Sequence, residues 1–205
     1  PSIVSALEIN SILQLPFLFA SNANLNSLPN SIEILTQLQT LHLNINPLTR
    51  LSENIANLKY LQKLNLAKNP NLDWENTFQL LQKLPDLKEL NLYANQLTSL
   101  PECIVNIKSL KKLNLGGNPN LDWQQAFFSV QKLPNLKALD ASDNRMTALP
   151  ASLGNMTQLE FLWLENNQLT TLPESFGNWV RLELLMLQYN KITSLPESFG
   201  KLTQL

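Results

Sequence analysis

The pattern L-x-x-L-x-L-x-x-N-x-L recurs eight times in register along the 205 residues, and a chain written this way has few folds open to it. Its first leucines are Leu15, Leu38, Leu61, Leu87, Leu110, Leu136, Leu159 and Leu182, and Leu205 opens a ninth copy. The steps between them are 23, 23, 26, 23, 26, 23, 23 and 23 residues. In each copy the x-L-x-L-x run alternates with period two, as a half-buried strand does. One such strand cannot bury its own apolar side. Stacked about 4.8 Å apart, successive strands form a parallel sheet over a shared leucine core. The ninth position holds Asn46, Asn69, Asn95, Asn118, Asn144, Asn167 and Asn190, with Ala23 in the first copy. An amide there, where the chain turns inward, pairs backbone groups that would otherwise be buried alone. Seven asparagines at one spacing are a structural ladder, not a set of catalytic residues.

The clearest copy is "LELLMLQYNKITSLP" (182–196), followed by "LKELNLYANQLTSLP" (87–101) and "LEFLWLENNQLTTLP" (159–173). These copies resemble the leucine-rich repeat family, in its class of about 23 residues with a Leu-Pro step after the strand. That class is found in bacterial proteins and in intracellular Ras-associated proteins. The resemblance implies an α/β solenoid, a horseshoe with a parallel concave β-sheet and a mixed convex side. It spans 1–205 as a single repeat domain, expected to be part of a longer chain. It implies a protein–protein interaction module that meets its partner on the concave face and is not itself an enzyme. The alternative is the recognition domain of a larger enzyme or effector of the GTPase, kinase or ubiquitin-ligase type.

The Leu-Pro steps at 28–29, 100–101, 149–150, 172–173 and 195–196 set φ and mark the turn to the convex side. Ser31, Ser152, Ser175 and Ser198 follow the prolines by two, where a hydroxyl suits capping of a short helical turn. Cys103 stands in the same slot and reads as their structural substitute rather than a nucleophile. The hexapeptide "NPNLDW" occurs at 69–74 and 118–123, in the two 26-residue repeats, and records a duplicated pair of repeats. Asp73 and Asp122 are N-caps in this reading, with Asn76 and Gln125 in the capping-box position. The spacing of Phe78, Leu81 and Leu84, and of Phe127, Val130 and Leu133, predicts α-helices near 74–84 and 123–133, closed by Pro85 and Pro134. Trp74 and Trp123 are expected to cover the helix starts and pack on leucines. A convex partner site is the alternative for them.

Composition bounds the rest. Fifteen basic residues against 16 acidic give a net charge of −1, which supplies no reason to expect a nucleic acid partner. A single cysteine permits no intrachain disulfide, and the single histidine, His42, reads as a polar strand residue rather than a metal ligand. No apolar run approaches the roughly 20 residues of a membrane span. No phosphate loop, metal cluster or nucleophile–base pair is found, so neither cofactor nor metal is expected. The five glycines read as turn or repeat positions.

Function is then sought on the face where strand residues between the leucines are free to vary. One column carries Phe17, Thr40, Lys63, Glu89, Lys112, Ala138, Phe161 and Leu184. The next carries Phe19, His42, Asn65, Asn91, Asn114, Asp140, Trp163 and Met186, and the third includes Tyr93, Glu165 and Gln188. Phe161, Trp163, Leu184 and Met186, with Glu165, Gln188 and Tyr189 beside them, have the composition of an interface hot spot and form the first candidate partner site. Packing against later repeats or another domain is the competing reading. Lys63, Glu89, Asn91, Tyr93, Lys112 and Asp140 form a secondary, polar candidate. Phe17 and Phe19 make a smaller cluster that an N-terminal segment could cover.

Ile9, Ile12 and Leu15 match Ile32, Leu35 and Leu38, so the N-terminal segment reads as a convex half-repeat or a helical cap. The absence of cysteine-rich caps favours a cytoplasmic location, with a bacterial surface or secreted protein as the other expectation. The sequon at Asn155 is weak evidence for export, since it falls inside an ordinary repeat.

Overall fold

The structure is a computed structural model that describes residues 14–205. Each repeat contributes one strand of three residues: β1 (Phe17–Phe19), β2 (Thr40–His42), β3 (Lys63–Asn65), β4 (Glu89–Asn91), β5 (Lys112–Asn114), β6 (Ala138–Asp140), β7 (Phe161–Trp163) and β8 (Leu184–Met186). All eight are parallel and lie side by side in chain order. Register follows the repeat: Glu89 lies between Lys63 and Lys112, and Trp163 between Asp140 and Met186. The residue columns of the sequence are therefore columns on the sheet face. The fold is the leucine-rich solenoid.

The strands are short because each ends in a fixed turn. The residue before every ladder position has positive φ: Asn22, Ile45, Lys68, Ala94, Gly117, Asp143, Asn166 and Tyr189, between 53° and 66°. A left-handed backbone is unfavourable for Ile45, Lys68, Ala94 and Tyr189, while glycine takes it freely and Asn and Asp tolerate it. The ladder holds it. Asn118 is fully buried and uses both ends of its amide. Its nitrogen donates to the carbonyls of Leu92 (3.2 Å), Leu115 (2.9 Å) and Gly116 (3.0 Å), and its oxygen accepts from the backbone N–H of Asn95 (3.0 Å) and Leu97 (3.1 Å). Asn46 serves the first repeat in the same way, accepting from Ala23 and Leu25, which is how that repeat manages without its own asparagine. Asn69 is the exception. Its nitrogen donates to three carbonyls, but its oxygen is buried with no partner.

The core is a continuous file of leucines from Leu28 to Leu202 between sheet and convex side. Trp179, the fourth tryptophan, is fully buried in it against Phe176 and donates its indole N–H to the Leu153 carbonyl at 3.1 Å. Ile9 and Ile12 lie outside the described residues.

On the convex side six repeats carry short 3-10 segments, and the two long repeats carry helices α1 (Trp74–Leu81) and α2 (Trp123–Val130). Both helices end three residues before the sequence predicts. Lys83 and Leu84 bond back to Leu80 and Leu81, and Lys132 and Leu133 to Ser129 and Val130, so the last turn tightens to the i→i+3 pattern. The residue before a proline is also disfavoured in α conformation, which stops the helix short of Leu84 and Leu133. Asp73 and Asp122 cap as expected, accepting from Asn76 and Gln125 at 3.0 Å. The reciprocal half of the capping box is absent. Gln125 turns instead to the neighbouring repeat and clamps both backbone groups of Leu100. Trp74 and Trp123 are half-buried on the core beside Phe78 and Phe127, as their packing role requires, although neither indole N–H has a partner.

The serines after the prolines do not cap. Proline itself occupies the N-cap position, and only Ser52, which replaces a proline, accepts a capping bond, from Asn54. Ser175 and Ser198 instead pack closely on glycines. A Cβ on Gly154 would meet the Ser175 Cβ at 2.5 Å and its carbonyl oxygen at 2.6 Å, and Gly177 stands in the same relation to Ser198. Ser of one repeat sits over Gly of the repeat before it.

Candidate partner-binding surface

The strand alternation that buries the leucines leaves their neighbours on the concave face, where a basin of about 340 Å³ opens. It runs from His42 to Trp163 across the middle strands. Its floor is polar. The Glu89 carboxylate sits between Lys63 at 3.1 Å and Lys112 at 3.5 Å. Asn65, Asn91 and Asn114 each accept the backbone N–H two residues on, and Asp140 does the same for Ser142. These Asx-turns explain why Asn or Asp closes four successive strands: the side chain completes the turn out of the sheet.

The secondary candidates Lys63, Glu89, Asn91, Lys112 and Asp140 all line this basin, and of the first candidate set only Trp163 does. Phe161 stacks beside Trp163 with ring centroids 6.2 Å apart, and both are half-buried. Leu184 and Met186 are half-buried on the next strand, where the exposed Gln188 side chain reaches the Met186 sulfur at 3.4 Å. Tyr189 is 80% exposed and stands in the turn after β8, away from the basin lining. His42, Asn65, Asn114 and Ala138 also line the basin and were outside both candidate sets. They stand in the same columns as the chosen residues, and that signal could have found them. Phe17 and Phe19 are exposed, with Phe19 edge-on to His42 at 4.9 Å.

Tyr93 leaves the basin and crosses a whole repeat. Its hydroxyl donates to the Asp143 carboxylate at 2.9 Å, 50 residues on. The repeat between presents Gly116 and Gly117, where a Cβ would meet the tyrosine ring at 3.1 and 3.2 Å. These two glycines clear the path of the ring, a role beyond the turn positions expected of them. The bond to Asp143 is the main cause of a raised Tyr93 pKa.

Glu165 shows the opposite kind of environment. One carboxylate oxygen is buried without a donor. Burial first, and then the like charges of Asp140 and Asp143, push its carboxyl pKa up, against a lowering backbone hydrogen bond. Cys103 is half-buried, and burial raises its thiol pKa, with Glu75 adding to the effect. That environment suppresses the thiolate a nucleophile needs. Among the described residues no cluster of His, Cys, Asp and Glu could hold a metal ion, and no helix is long and apolar enough to cross a membrane.

Family models described as leucine-rich repeats match residues 79–119, 134–177 and 181–202. This chain is a leucine-rich repeat protein. Leucine-rich repeats are as a rule interaction modules rather than catalysts. Among curated proteins no sequence match is found. Among solved structures, a leucine-rich repeat protein of Leptospira interrogans is 31% identical with a TM-score of 0.72, over 98% of this chain and 55% of that one. The leucine-rich repeat domain of the type III effector XopL is 26% identical, TM-score 0.68, over 94% of this chain and 67% of that one. TLR13 in complex with ssRNA13 is 28% identical, TM-score 0.75, over 94% of this chain and 28% of that one. The leucine-rich repeat chain described here thus spans about half of the Leptospira protein, and the bacterial neighbours point to a bacterial origin. The RNA-bound neighbour means that the fold does not support the exclusion of a nucleic acid partner, an expectation that rests on net charge alone.

Proposed function

We propose that the leucine-rich repeat solenoid binds a protein partner on its concave face, along the basin between His42 and Trp163 and onto the apolar strands β7 and β8. The observation that carries this is the juxtaposition of turn-anchored polar side chains with a half-buried aromatic pair. Backbone-anchored Asn65, Asn91, Asn114 and Asp140 lie beside stacked Phe161 and Trp163, followed by Leu184 and Met186. Side chains already held by turns and stacking lose little freedom on binding, and pre-organisation of this kind raises affinity. Aromatic and Met side chains near a polar rim are the usual anchors of such contacts.

The experiment is affinity capture with the leucine-rich repeat domain, followed by a binding measurement on the protein recovered. Trp163→Ala with Met186→Ala is expected to weaken that binding by at least about a hundredfold, the loss typical of two anchors. Unchanged affinity with an intact circular dichroism spectrum defeats the proposal. The second reading, a recognition arm of a larger effector or enzyme, is favoured by the likeness to the XopL domain. The full open reading frame decides it, by containing or lacking catalytic motifs outside these repeats.

A further inference from the structure

The charges of the concave face are segregated, and one half is unpaired. Toward β3 to β5, Lys63 and Lys112 share Glu89. Toward β6 and β7, Asp140, Asp143 and Glu165 gather around Trp163. Asp140 is the register neighbour of Trp163, the Ala141 N–H bonds the Trp163 carbonyl at 2.9 Å, and the Asp143 N–H bonds that of Glu165 at 3.0 Å. Among the described residues none of these three carboxylates enters an ion pair. The cation nearest in sequence, Arg145, lies two residues past Asp143 and pairs with none of them.

Neutral donors hold the aspartates in place. Asp140 accepts from the Ser142 hydroxyl (2.6 Å) and the Asn114 amide (2.7 Å), and Asp143 from the Asn166 amide (2.8 Å) and the Tyr93 hydroxyl (2.9 Å). Asp140 Oδ1 is filled by the Ser142 N–H and hydroxyl, but Asp140 Oδ2 and both Asp143 oxygens each accept one donor and keep a second lone pair to offer. Glu165 has a buried oxygen with no donor at all. Two held aspartates and the donor-free Glu165, near the stacked Phe161–Trp163 pair and with no ion-pair partner among the described residues, are complementary to a positive, flat group. They do not have the arrangement of a metal site.

Resting on the concave-face reading, we propose that the partner segment presents an arginine, its guanidinium stacked on Trp163 and donating to Asp140 and Glu165. Guanidinium suits this place better than ammonium. It is planar, so it lies on an indole, and its fork of N–H donors reaches two carboxylates at once.

The test uses capped hexa-arginine, hexa-lysine and hexa-glutamate peptides titrated into the 15N-labelled chain. The Trp163 indole N–H resonance is assigned by its loss in Trp163→Phe. Hexa-arginine is expected to shift that resonance saturably and about tenfold more tightly than hexa-lysine, with no response to hexa-glutamate. The Asp140→Asn, Glu165→Gln double variant preserves shape and neutral hydrogen bonding, and is expected to lose about tenfold in apparent affinity. An unmoved Trp163 resonance, equal titration by hexa-lysine, or a double variant that titrates like the wild type overturns the proposal. A captured partner that needs Trp163 and Met186 but is indifferent to the Asp140 and Glu165 changes overturns it too, and leaves the concave-face reading standing.

Discussion

Glu165 is a carboxylate kept partly from water beside two others, and this has a consequence for stability. Its pKa is raised in the folded chain, so folding binds its proton more tightly than the unfolded chain does. Ionised Glu165 therefore opposes folding above its raised pKa, and the penalty disappears once pH falls below the ordinary glutamate value. Glu165→Gln is expected to raise the melting temperature at about pH 7 and to make no difference at about pH 4. Calorimetry of both forms across that range checks it, and a gain that persists at low pH would assign the effect to something other than charge. None of this was visible in the sequence. The column placed Glu165 on the concave face, but the closeness of Asp143 depends on a left-handed turn that brings a loop residue beside the strand. The Asx-turns of Asn65, Asn91 and Asn114 are hidden for a related reason, since the column pattern marks these asparagines as exposed and does not say where each strand ends.

The ladder and the convex segments set the cost of change within an element. Asn118→Ala leaves the Asn95 and Leu97 N–H groups buried without acceptors, and is expected to cost about 3–5 kcal/mol. Asn69→Ala removes an amide whose oxygen already lacks a partner, and is expected to cost about 1–2 kcal/mol less. Urea denaturation of the two variants orders them; equal losses would show that the ladder oxygen contributes nothing. On the convex side, Gly154→Ala must push apart two repeats and is expected to destabilise by about 1–3 kcal/mol. Gly200→Ala meets nothing within 4 Å and is expected to stay within about 0.5 kcal/mol of wild type by the same assay. The helices were legible because Asp73, Asp122 and their apolar spacing are local signals. Their ends were not, because the tightened last turn answers to Pro85 and Pro134 and the repeat beneath. The serine column misleads for a similar reason: proline takes the cap, and Ser175 and Ser198 pack on glycines 21 residues earlier, a relation that a local capping rule cannot contain.

For the whole molecule, the repeat spacing gave the architecture almost completely, since leucines at a fixed period have one way to share a core. What the period could not give was which candidates meet. Register placed Trp163 in a basin with Lys63 and Asp140, and left Tyr189 on a turn outside it. Backbone pairing also predicts a gradient of stability along the solenoid. The Leu115 and Leu164 N–H groups bond to the next strand at 2.8 and 2.9 Å, whereas among the described residues Leu187 N–H has no strand to bond. Native-state hydrogen exchange is expected to be at least about a hundredfold slower at Leu115 and Leu164 than at Leu187. Equal protection would mean that another segment or copy covers β8.

Most contacts here join a repeat to the next one, so the array could in principle be lengthened or shortened one repeat at a time. Tyr93 adds a longer-range tie. Its hydroxyl reaches over Gly116 and Gly117 to Asp143, so the fourth, fifth and sixth repeats form a triplet with a fixed reading frame. Deleting the middle member, or inserting another beside it, would strand both ends of that bond. The stretch from 87 to 158 is thus the one place among the described residues where a side chain ties a repeat to the next but one, a long stitch across an otherwise nearest-neighbour seam.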